Sequence, residues 1–231
     1  MTGWIEYATA LSLFAASHFV PRLWGLRERL IGAMGRQTYF SVYGLVSVAL
    51  LAWLIAAAGR APYVELWPQP AWARWVPNIA MPVSVMLIAA GIGLSQPYTL
   101  GARKGAAFDP ARPGVAAISR HPLFLALALW AGSHLPPNGD LAHVLLFGSF
   151  LAMALAAIPA FDARARRALE PETARAFFAA TSMFSLRPLG DRDWRRRHAR
   201  PLATRAVLGL ALWLGLLHLH TAVIGASPFP F

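Results

Sequence analysis

Residues 38–58 read TYFSVYGLVSVALLAWLIAAA, 21 residues without one Asp, Glu, Lys, Arg or His. An α-helix needs ~20 predominantly apolar residues to cross the ~30 Å hydrocarbon core of a bilayer, and this segment supplies them. A helix apolar on every side belongs in a large core or in lipid. The chain has 231 residues, 57% of them hydrophobic and only 13% charged, and its mean hydropathy is positive. Ordinary soluble domains carry nearer a quarter charged residues. Lipid is therefore the solvent this segment implies.

Working outward from it, five further apolar segments complete an all-α, polytopic membrane bundle of about six transmembrane helices. The expected spans are 4–20, 38–58, 78–96, 118–135, 141–161 and 205–225, forming one domain over residues 1–231. The first span lacks a basic n-region and carries Glu6, so it reads as a retained helix and not as a signal peptide. No repeat of 20–50 residues is present. Ala89, Ala90, Gly91 and Gly93 form a cluster of small residues that lets helices approach closely. Pro171 suits a helix start, with Glu170 and Glu172 as acids of its first turn.

Charge sets the expected orientation. Of the 21 Lys and Arg residues, 19 fall in or beside the first, third and fifth connections, and only Arg60 and Arg74 fall elsewhere. The positive-inside rule then puts those three connections in the cytoplasm and both termini outside. The stretch WRRRHAR at 194–200 reads as a basic loop and topology anchor at the inner headgroups. The formal charge of +11 is thus assigned to the bilayer and not to nucleic acid. With no cysteine, thiolate metal sites, disulfides and thiol nucleophiles are excluded.

The fourth span, RHPLFLALALWAGSHLPPNGD at 120–140, has an imidazole at each end. Six of the seven histidines lie in or beside spans, where ionisable groups are costly and mark function by default. The alternative is an imidazole that bonds a neighbouring helix. His18 and His121 fall near the cytoplasmic face, whereas His134, His143, His218 and His220 fall toward the outer face. Thirteen residues separate His121 from His134, roughly 20 Å along a helix. Depth therefore pairs His18 with His121 and His134 with His220. Periodicity puts His218 and His220 on nearly opposite sides of their helix, so that one of them faces inward. Neutral imidazoles from an apolar bundle suit haem iron, with arginines such as Arg22 and Arg120 opposite the propionates. Arg120 at a helix start is also an anion site, with His121 beside it. Zinc or copper would want a denser cluster with carboxylate or sulfur partners, and Glu6 is the only acid placed within a span.

The blocks SHFVPRL from Ser17, GRQTYFSVYGLVSVALL from Gly35, APYVELW from Ala61, ISRHPLF from Ile118, ALWAGSHLPPNGDLAHVLLFGSF from Ala128 and FDARARR from Phe161 resemble the NnrU family. That family is associated with bacterial denitrification, the metabolism of nitrite and nitric oxide. The same membrane domain occurs in 15-cis-zeta-carotene isomerase, a haem b protein. The resemblance implies haem b held by His18 and His134, with His220 as a further family histidine. Two positions depart from the pattern: Thr221 follows His220 in place of proline, and Ala131 stands where the isomerase branch has a cysteine. Three functions follow as expectations: a haem protein supporting nitrite and nitric oxide metabolism with a redox or reductase partner; a haem-dependent cis–trans isomerase of a carotenoid-like polyene; or a non-catalytic membrane helper. The short RHP motif also resembles membrane methyltransferases that bind S-adenosylmethionine, but the paired glutamates expected there are absent from the last span.

Overall fold

A computed structural model describes residues 2–103, 105 and 107–231. Lys104, counted above among the basic residues of the third connection, lies outside them. Nine α-helices carry the described residues: α1 (Thr2–Phe19), α2 (Leu26–Met34), α3 (Arg36–Arg60), α4 (Trp75–Gly91), α5 (Pro122–His134), α6 (Leu141–Ala168), α7 (Pro171–Ala180), α8 (Arg187–Gly190) and α9 (Arg192–Ile224). Among these residues there is no strand, only two isolated β-bridges. Four helical stretches are long and apolar enough to cross a membrane: Arg36–Arg60, Ala71–Gly91, Leu141–Ala168 and Arg192–Ile224. The other two expected spans coincide with the shorter helices α1 and α5.

Helix ends follow local chemistry. α5 begins at Pro122, four residues later than the span read from hydropathy, because proline favours the first helical position and holds the residue before it out of the α region. His121 sits there at φ −130° and ψ 53°. α4 stops at Gly91, short of the expected end at 96, and the chain turns at Gly93 with φ 73°. The largest change concerns WRRRHAR. It is not a loop but the opening of the 33-residue α9, whose N-cap Asp191 accepts hydrogen bonds from the Asp193 and Trp194 amides at 2.8 and 3.1 Å. α9 ends at Gly225 in the left-handed conformation, φ 83°. Pro171 opens α7 with Glu172 in the first turn, as read from the sequence.

The chain's contacts gather into two compact units, Met1–Pro68 with Asn138–Leu146, and Gln69–Pro137 with Phe147–Phe231. In the first, α1 packs along α3. Its embedded acid is paired: Arg60 holds Glu6 through Nη2 at 2.5 Å and Nε at 3.2 Å, and Trp53 Nε1 donates to the same carboxylate at 3.1 Å. Tyr7, fully buried, donates its hydroxyl to the Ala142 carbonyl at 2.8 Å. In the second unit α4 packs against both α5 and α9. Small residues make this possible. A Cβ on Gly91 would overlap Leu123 and Pro122 of α5, and one on Gly209 of α9 would come 3.0 Å from the Met86 backbone. Arg205 donates to the carbonyls of Ala89, Ala90 and Ile92 at 2.7–3.0 Å, closing the C-terminal end of α4 with a cation.

Candidate functional site

Two sites mark the ends of α5. At its start, Arg120 and His121 converge on a residue that hydropathy had left outside the spans, Asp162 near the end of α6. Arg120 donates to both Asp162 oxygens, Nε to Oδ1 at 2.8 Å and Nη2 to Oδ2 at 2.6 Å. His121 Nε2 lies 2.8 Å from Oδ1, and its Nδ1 lies 3.1 Å from the Thr99 hydroxyl. A carboxylate can only accept, so Nε2 carries the proton and Nδ1 of the neutral ring accepts from Thr99. His121 is 1% exposed, and the Arg120 and Asp162 side chains 13% and 18%, so the pair is largely desolvated.

Backbone bonds hold this cluster in register. Arg120 N donates to Ser182 O at 2.7 Å, Ser182 N to Ala116 O at 3.1 Å, and Gln96 Nε2 to Arg120 O at 2.5 Å. Gln96 Oε1 is buried without a hydrogen-bond partner. Arg120 also lies 5.1 Å from the centre of the Phe178 ring, which Arg166 approaches at 3.8 Å. The anion opposite Arg120 is thus a side chain of this chain, and the cluster ties the 94–103 turn, α5, α6 and the segment after α7 together.

The second site lies at the other end of α5. His134 Nδ1 is 2.7 Å from the Trp130 carbonyl one turn back. A carbonyl accepts, so Nδ1–H donates. Aromatic rings surround the imidazole: Phe147 stacks at 5.1 Å, Trp130 lies at 5.9 Å, and Phe150 packs on Trp130 at 5.4 Å. His220 lies on α9, in the same unit as His134. Its Nδ1 is bonded to the Ala226 carbonyl at 2.8 Å, which fixes the same tautomer. Depth pairs His134 with His220, and both belong to the second unit. His218, the other histidine of α9's outer end, is exposed and bonded to Leu214 O at 2.7 Å. The expected opposition of His218 and His220 holds.

His18 and Arg22 belong to the first unit and His121, His134, His220 and Arg120 to the second. His18 bonds through Nδ1 to Phe14 O at 2.9 Å and rests against Phe14 and Tyr43. It has the same Nδ1–H tautomer as His134. Arg22 is exposed at the end of a short 3₁₀ turn, Val20–Arg22. His143 is bonded by Nδ1 to both oxygens of Asp140 at 2.7 and 2.9 Å.

The chain matches the family described as NnrU protein over residues 6–228. It belongs to the NnrU family. No curated protein matches it, and no solved structure does. In this NnrU chain the ISRHPLF and FDARARR blocks, 41 residues apart at His121 and Asp162, are one hydrogen-bonded cluster. Sequence reasoning missed Asp162 because its span was drawn to end at 161, whereas α6 runs on to Ala168. The signal that could have found it was the carboxylate within FDARARR, lying at the same end of the bundle as RHP.

The donor set also bears on haem, the group the resemblance implies. Among the described residues no three His, Asp or Glu side chains gather as a zinc or calcium ion requires. Haem iron needs only one or two axial imidazoles, each oriented by a hydrogen bond from its other nitrogen. His134, His220 and His18 each satisfy that condition. Arg120 fits a propionate less well, since Asp162 already occupies the Nε/Nη2 edge of its guanidinium.

Proposed function

We propose that this NnrU-family protein is a haem b-binding protein of the bacterial inner membrane, both termini periplasmic, that supports nitrite and nitric oxide metabolism together with a reductase or redox partner. The observation that carries the haem reading is the orientation of His134: its Nδ1–H is committed to the Trp130 carbonyl, the kind of bond that orients a ligand imidazole, and aromatic rings pack against it. His134 is the first axial ligand in this reading. His220, which depth pairs with it, and His18, which the resemblance implies, compete for the second place. When bound, haem supplies one-electron chemistry. The chain's own residues hold the imidazole in one tautomer and pack Phe147 and Trp130 against it.

The test is the visible spectrum of the detergent-purified chain, oxidised and dithionite-reduced. A Soret band with sharp reduced α and β bands is the expected result, because two imidazoles make low-spin iron. His134→Ala is expected to abolish those bands. His220→Ala against His18→Ala then identifies the partner as the variant that converts the spectrum to high spin. A colourless protein from haem-supplemented cells, with no pyridine hemochrome, overturns the reading and leaves a cofactor-free helper. Haem accompanied by turnover of a cis-polyene would move the assignment to the isomerase.

A further inference from the structure

The turn between α2 and α3 brings two arginines onto one aromatic ring. Arg27 of α2 lies 5.3 Å from the centre of the Phe40 ring, and Arg36, first residue of α3, lies 5.0 Å from it. The two cations are therefore within about 10 Å of each other, one Debye length at moderate ionic strength, and they repel. Among the described residues neither has a carboxylate within ion-pair distance. Glu28, next to Arg27, is turned to neither. The start of α3 has no side-chain cap and no acid in its first turn, so its free amides and the helix dipole add to the same positive field.

The second unit contains the same arrangement, resolved. Arg120 and Arg166 approach the Phe178 ring at 5.1 and 3.8 Å, and there Asp162 supplies the anion by bridging Arg120 at 2.6 and 2.8 Å. At Phe40 no protein group among the described residues plays that part. The surroundings indicate what does. Phe19, Val20, Leu23, Trp24 and Met34, flanking the arginines in sequence, are all 40% or more exposed, Trp24 at 83%. Trp24 is also the one non-glycine residue among those described with positive φ, 51°, a conformation that L side chains adopt at a cost. Exposed Trp and apolar side chains beside unpaired arginines are the composition of a membrane–water interface.

We propose that Arg27 and Arg36, held by Phe40, clamp the phosphate of an anionic phospholipid whose acyl chains lie against the exposed apolar residues of this turn. The site is independent of the haem reading. Two guanidinium forks suit phosphate oxygens bidentately, and the ring fixes the forks before the lipid arrives.

The test uses the full chain in a neutral detergent, following thermal unfolding as lipid is added. Phosphatidylglycerol or cardiolipin is expected to raise Tm, while phosphatidylcholine and inorganic phosphate at equal concentration leave it unchanged. In Arg27→Gln/Arg36→Gln the half-saturating concentration of anionic lipid is expected to rise roughly 30-fold, two lost cations at the surface. Arg164→Gln/Arg167→Gln, which removes two exposed arginines of α6, is expected to respond as the parent does. Equal protection by phosphatidylcholine, protection by inorganic phosphate alone, or equal loss in the α6 variant would each overturn the assignment. Should the double Gln variant not fold, Arg27→Gln alone serves, with roughly a fivefold rise expected and an unchanged titration overturning it.

Discussion

Asp162 shows how much one side chain can hold. It accepts two bonds from Arg120 and one from His121, and it anchors α6 to the start of α5. Removing one member of a largely desolvated pair costs more than the pair contributes, because the partner is left buried and unmatched. Asp162→Ala is therefore expected to lower unfolding stability by about 3 kcal/mol, read as a shift of the denaturation midpoint in mixed micelles. His134 lies at the far end of α5, so the same variant should leave any visible spectrum unchanged. A stability change below about 0.5 kcal/mol would mean that water or detergent replaces the carboxylate, as at an exposed pair. The histidines and arginines at the ends of α5 were legible in the sequence as costly residues at membrane depth. Their partner was not, because a hydropathy window stops where charges begin, and α6 keeps its helical hydrogen bonds through Phe161, Asp162 and three arginines to Ala168.

At the scale of elements, each of the six apolar segments coincides with a helix, since a run of ~20 apolar residues has no better way to satisfy its backbone in lipid. The ends were less legible. α9 begins 13 residues before the apolar segment, and what starts it is the cap at Asp191, not hydropathy. Hydrogen bonds from the Trp194 and Asp193 amides favour the Asp191 carboxylate and hold its pKa below the ordinary range, near 4. A depressed folded-state pKa contributes stability that is present above the unfolded value and lost as pH falls through the folded one. The start of α9 is therefore expected to loosen only below about pH 4. Asp191→Asn, which keeps the cap but cannot titrate, should remove that dependence, while Asp191→Ala should loosen the turn at every pH. Amide hydrogen exchange at residues 192–196 reads both variants. Identical exchange in the parent and Asp191→Ala would show that the arginine-rich turn needs no cap.

For the whole molecule, the distribution of charge makes the strongest claim. All but two basic residues lie in or beside the odd-numbered connections, and the structure places many of them on helix that runs beyond the apolar segments, at the end of α6 and the start of α9. Arginines on rigid helix cannot retreat into a flexible loop, so inserting this chain the other way round would carry a fixed array of cations across the hydrocarbon. Each would cost several kcal/mol. Orientation is therefore testable with little ambiguity, and the absence of cysteine gives a clean background for labelling. Gly190→Cys lies at the last residue of α8 in open space, where an added Cβ meets nothing within 4 Å, and Ser227→Cys lies exposed beyond α9. In intact spheroplasts a membrane-impermeant maleimide is expected to label Ser227→Cys at once and Gly190→Cys only after permeabilisation. The reverse pattern would place the arginine-rich ends outside, against the positive-inside rule. Labelling of both without permeabilisation would mean that α9 does not cross the membrane, although its 33 residues are long and apolar enough to do so.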